Sequence, residues 1–285
     1  MLESPFGLAD IRGVAGGQWG GPDFGLYGAA AMADWNDRSV RVGSGAQTID
    51  AGLRAYMLGV YNYMALGVAL TGLVAFVVVQ FAATSDPTGI QIGRELYLTA
   101  FGQAIYLSPL KWLVIFAPLV FVLILSARVR AMSAPAVQLS FWAFSAIMGL
   151  SLSSILLVYA GGSVARVFFI SAATFGALSL WGYTTKRDLT GMGSFMIMGL
   201  FGVILASVVN LFWPAPALSF AISIIGVIVF AGLTAYDTQR IKEMYVGGMD
   251  RTATVKTSVM GALSLYLDFI NLFLMLLRLM GQGRN

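Results

Sequence analysis

The chain has 285 residues, of which 58% are hydrophobic and 11% charged, with mean hydropathy +0.82. A soluble domain carries about 25% charged residues, so this composition is that of a polytopic membrane protein. The sequence contains no Cys and no His, which excludes disulfides, thiolate catalysis, zinc sites of the usual type and the standard near-neutral proton carrier.

Residues 1–53 stand apart from the rest: ten of the first fifty are Gly, and charges are scattered without period. They read as a disordered, Gly-rich cytoplasmic tail. Gly43-Ser-Gly45 lacks a following Gly-Lys-Ser/Thr and is no phosphate loop.

From residue 54 onward, apolar runs of bilayer length alternate with charged turns. About twenty apolar residues cross a hydrocarbon core. The first span is predicted over 57–82, then a loop over 84–109 holding Asp86, Arg94 and Glu95. Further spans follow at 110–127, 136–158 and 165–184, closed by Arg128 and Arg130, by Ala160-Gly161-Gly162, and by Lys186-Arg187-Asp188. Between Asp188 and Asp237 lie 48 uncharged residues, roughly 72 Å of helix and too long for one crossing. Trp213-Pro214-Ala215-Pro216 divides them, because prolines remove donors and break the helical ladder. Spans five to seven therefore fall at 195–212, 217–240 and 255–279, giving an all-α bundle of seven transmembrane helices.

With the N-terminus inside, twelve Lys and Arg lie on inner segments and five on outer ones, as the positive-inside rule requires. The basic net charge of +4 is thereby a topology signal and not a nucleic-acid footprint. Trp112, Trp142, Trp181 and Trp213 lie near span ends and read as interfacial anchors.

Two acids fall inside apolar helices. Asp237 ends the uncharged stretch 217–236, and Asp268 interrupts the run 259–277. A carboxylate at mid-bilayer depth costs roughly 2.5–3.5 kcal/mol, so such groups usually face a bundle interior. Thr257, Gly261, Ser264, Asp268 and Asn271 form one face of the last helix, and Ser219, Ser223, Gly226, Thr234 and Asp237 one face of the preceding helix. Such stripes also let membrane helices pack closely. Gly247-Gly248 reads as the turn between them, placing the acids about 15 and 21 Å from it. Two carboxyls meeting there cannot both readily ionise and titrate as a unit around one shared proton. Loss of that proton leaves a hard oxygen site suited to Ca²⁺. Arg128 or Arg130 is placed to lock an acid, and Thr234, Gly261, Ser264 and Asn271 are the candidate pore-lining residues.

At these residues the chain resembles the Bax inhibitor-1 family, also called the transmembrane Bax inhibitor motif family. The matching pieces are Phe230-Ala-Gly-Leu-Thr-Ala-Tyr-Asp-Thr-Gln-Arg-Ile-Lys242 and Leu263-Ser-Leu-Tyr-Leu-Asp-Phe-Ile-Asn-Leu-Phe273, and the resemblance covers 54–281. It implies a pH-sensitive Ca²⁺ leak channel of seven helices with the seventh central. The family's pH-sensing aspartates fall on Asp237 and Asp268, and its latch arginine on Arg128 or Arg130. Some relatives carry an acid within the second helix, and residues 112–127 contain none. The suppression of cell death associated with eukaryotic relatives does not transfer to this chain.

The expectation is thus a multi-pass protein of the cell (inner) membrane, if bacterial, with a cytoplasmic N-terminus. It has no catalytic residues, no cofactor and no nucleic-acid partner; lipid surrounds it, and calcium, as permeant ion transiently held by Asp237 and Asp268, and protons are its ligands. The alternatives are a proton-coupled cation or solute transporter, an intramembrane aspartyl protease and a scaffold. The protease's usual Gly-x-Gly-Asp is replaced here by Leu265-Tyr266-Leu267-Asp268. A retinal protein needs a Lys within its last helix, and Lys256 stands only at its start.

Overall fold

The computed structural model describes residues 24–87, 90–93 and 96–284, with side chains from residue 51 onward. Two units are distinguished, Met1–Asp50 and Ala51–Asn285. In the first, residues 1–23 lie outside the described residues. The backbone of 24–50 is helical, where the composition predicted no order. The run Ala29-Ala-Ala-Met-Ala33 supplies helix propensity that the glycine count conceals.

Helix α1 is assigned over Phe24–Ala82, and its part Ala51–Ala82 is the first of seven helices long and apolar enough to cross a membrane. The others are α3 (Leu110–Arg128), α4 (Ala134–Val158), α5 (Gly161–Thr184), α6 (Thr190–Phe212), α7 (Pro216–Glu243) and α8 (Arg251–Met280). All seven expected spans are present, each longer than expected at one end or both. Pro135 and Pro216 stand in the first turns of α4 and α7, where a missing N–H is harmless. Asp250 caps α8 by accepting from the Ala253 amide. Gly248, at φ 89°, makes the turn between α7 and α8 with a conformation that a side chain would disfavour.

The segment 84–109, expected to be loop, is instead structured. It forms a small antiparallel sheet of β1 (Ala83–Thr84), β2 (Ile90–Gly93) and β3 (Leu96–Leu98), ordered β1-β3-β2, followed by the short helix α2 (Ala100–Tyr106). Ile90, Ile92 and Tyr97 are β-favouring residues. Thr99 then caps α2 through the Gly102 amide.

Helix α8 lies at the centre. Of its most apolar stretch 67% is buried, against 6% for α6, whose Phe195, Met198, Phe201 and Leu205 face outward as lipid-facing residues do. The core gathers on α8 at Leu265, Tyr266, Phe269 and Leu272, with Phe141 and Phe144 of α4 stacked edge-on against Tyr266. Trp112, Trp181 and Trp213 are exposed near span ends. Trp142 departs from the expected anchor role, packing against Tyr63 and Phe141.

Candidate functional site: an acidic pair between α7 and α8

Two close contacts fix the register of α7 against α8. A Cβ on Gly261 would lie 2.9 Å from Ile241, and one on Gly226 would lie 2.8 Å from Met275. This register sets Asp268 level with Thr234 and Asp237 level with Ser264, about 5 Å apart along the helix axes at 1.5 Å per residue. Aspartate side chains span that offset, and the two carboxyls lie within hydrogen-bonding reach. Since a carboxylate has no donor, a bond between them requires one of the pair to carry a proton.

Their surroundings differ. Asp268 is 6% exposed, and its Oδ2 is sealed from solvent without any hydrogen-bond partner. Asp237 is half-buried and feels the guanidinium of Arg240, one turn further along α7 and exposed. Phe269, beside Asp268, stacks edge-on against Phe168 and Phe175 of α5. A buried carboxyl oxygen with no donor costs about 1–3 kcal/mol unless it shares a proton with the facing carboxyl.

The other candidate residues divide. Thr234 is fully buried and donates to the Phe230 carbonyl at 2.7 Å; Asn271 donates to the Leu267 carbonyl at 2.8 Å. Ser264 is half-buried beside the pair. The space beside Gly261 is filled by Ile241, so this glycine serves close packing. Arg128 and Arg130 are exposed at the end of α3 and are not among the groups acting on the pair. The Arg130 carbonyl instead accepts from Lys256 at the start of α8, 3.4 Å away.

Residues that the sequence reading passed over hold the site in place. Gln239 accepts from the Leu189 amide and donates to the Arg187 carbonyl, both at 2.8 Å. Lys242 donates to the Tyr183 carbonyl at 2.9 Å and sits over that ring. Together they clamp the α5–α6 turn to the end of α7. Thr238 joins Ser179 at 2.9 Å, and Ser179 joins Tyr61 at 2.7 Å, linking α7, α5 and α1. Tyr236 fills the space beside Gly193 of α6. The signal for these was their position within the Tyr-Asp-Thr-Gln-Arg block itself, each residue addressing a different neighbour around the helix.

Fold and site define an integral membrane protein with seven candidate spans among its described residues and paired acids between the last two. The profile of the family described as "Inhibitor of apoptosis-promoting Bax1" matches residues 53–285. An uncharacterized protein of Rickettsia prowazekii is 47% identical, covering 84% of this chain and 94% of its own length. A Caulobacter vibrioides protein is 44% identical over 89% of this chain and all of its own length. The inner membrane protein YbhL of Escherichia coli is 45% identical over 82% of this chain and 94% of its own. The chain belongs to the Bax inhibitor-1 family.

Proposed function

We propose that the protein is a pH-sensitive calcium leak channel, not an enzyme, gated by the protonation state of the Asp237–Asp268 pair. The observation that carries this reading is the pairing itself: two carboxyls in mutual reach, one with a sealed and unpartnered oxygen. While the pair shares a proton it holds α7 to α8 as a single hydrogen-bonded unit. Loss of the proton sets two negative charges against each other in a poorly solvated place and frees oxygens for a hard cation.

Among the described residues, no cluster of three or more acids joins the pair. Calcium ordinarily takes six to eight oxygens, so two carboxylates suit an ion in transit better than a resident one. Calcium is thus the permeant species, with Thr234, Ser264 and Asn271 beside its path. Arg240 tunes the pair from the same helix; a latch at Arg128 or Arg130 requires the end of α3 to move. The positive-inside count supports an N-terminus on the cytoplasmic side.

The test is calcium efflux from liposomes holding the purified protein, followed with an entrapped dye across pH. Wild type leaks more as pH rises; Asp237→Asn and Asp268→Asn flatten that dependence. An unchanged pH profile in both variants overturns the mechanism.

A further inference from the structure

The far end of the bundle, where α3 begins and α4 and α8 end, holds an open cavity of about 450 Å³. It is lined by Lys111 and Arg284, by the hydroxyl residues Ser151 and Ser154, and by an apolar wall including Ile105 and Val114. Among the described residues two cations line it and no acid does.

The chain end is tied into place there. The Arg284 amide donates to the Val158 carbonyl at 2.9 Å and the Ala160 amide to the Gln282 carbonyl at 3.0 Å. The Gln282 amide donates to Ser163 Oγ at 2.9 Å, and Tyr159 bridges Gly283. Terminal residues are ordinarily loose unless tied down. Here the strap brings the exposed Arg284 to the cavity that Lys111 also lines.

We infer that this cavity is a binding site for an anionic phospholipid, its phosphate between Lys111 and Arg284, its headgroup on the two serines, its chains continuing over the apolar wall into the bilayer. Two features favour lipid over a free anion. The cavity wall beside the cations is apolar, which a bare ion does not need. Trp112, half exposed beside Lys111 and 5.4 Å from its ammonium, is the residue type that marks headgroup depth.

The experiment uses the full-length protein in a mild detergent, with added phosphatidylglycerol, phosphatidylcholine of the same chains, or inorganic phosphate, reading thermal unfolding and lipid retention by native mass spectrometry. Phosphatidylglycerol raises the unfolding temperature of wild type and stays bound; the other two do neither. Arg284→Gln, on the exposed strap, lowers retention about tenfold, and adding Lys111→Gln lowers it further, as loss of charge-assisted bonds predicts. Arg166→Gln, an exposed arginine outside the cavity lining, retains the lipid. The inference is overturned by equal retention in the Arg284→Gln and double variants, by an equal loss in Arg166→Gln, by phosphatidylcholine matching phosphatidylglycerol, or by inorganic phosphate reproducing the shift.

Discussion

Asp237 and Asp268 reach one another across the α7–α8 interface, and Oδ2 of Asp268 is sealed from solvent with no donor to it. A direct bond between them demands a proton. Infrared difference spectroscopy of the reconstituted protein should therefore show a protonated carboxyl at neutral pH, lost in Asp268→Asn. A wild-type spectrum with only ionised carboxylates at that pH would leave the pair without its shared proton.

Arg240 bears on Asp237 from one turn away on the same helix but is itself exposed. Arg240→Gln removes that guanidinium and should alter the calcium-efflux profile of reconstituted liposomes across pH. A profile identical to that of wild type would show that Arg240 takes no part in tuning the pair.

Gly182 of α5 meets the backbone of Ala235, one residue before the Tyr-Asp pair. A Cβ there would lie 2.2 Å from the Ala235 carbonyl oxygen. Backbone on both sides cannot yield as a flexible side chain does, so Gly182→Ala forces α5 and α7 apart at a cost of about 1–3 kcal/mol or more. Gly176, on the same helix, faces open space. Its replacement by Ala is neutral or stabilising, since Gly is about 1 kcal/mol worse than Ala in a helix interior. Thermal unfolding of the two variants in detergent should give shifts of opposite sign, or one large and one negligible.

Gln239 answers two backbone groups of the α5–α6 turn at once, and Leu189, whose amide it accepts, is buried. Gln239→Ala orphans that amide at about 1–3 kcal/mol and loosens the segment carrying Lys186 and Arg187. Limited trypsin digestion at those residues should quicken about tenfold, since 1.4 kcal/mol is a factor of ten when local opening governs cleavage. Unaltered digestion would show that Lys242 alone suffices to hold the turn.

Span positions were legible because charge and proline punctuate apolar runs sharply: Trp213-Pro214-Ala215-Pro216 separates α6 from α7 where expected. The depth match of Asp237 and Asp268 was legible too, because a hairpin of two helices has few free parameters once its turn is located. The sheet at 83–98 escaped, since its strands are two to four residues long and carry too little period to separate from loop. The assignment of cations escaped for another reason. Arg128 and Arg130 were chosen by their place at the end of a helix, whereas Arg240 acts through its place one turn from Asp237 on the same helix. Side-chain direction within a known motif decides such questions, and a linear pattern carries it only when each residue's angular position is followed.

Asp188 lies in the turn before α6, outside the spans, and accepts from the Thr190 amide at 2.8 Å. Hydrogen bonds from the Thr190 side chain and backbone hold its carboxyl below the ordinary value of 3.8. A carboxylate whose folded value is depressed contributes stability that is present above the unfolded value and is lost as pH falls through the folded one. Wild type should therefore be more stable than Asp188→Ala at neutral pH by a constant margin, and that margin should shrink once pH drops below 3.8. Asp188→Asn keeps an acceptor for the Thr190 amide but cannot titrate. Its stability relative to Asp188→Ala should stay level across the same range, which separates the charge from the geometry of the turn. Unfolding of the three proteins in detergent at a series of pH values measures this, and a wild-type margin that persists unchanged into acid would show that the Asp188–Thr190 bonds do not distinguish the ionised carboxyl.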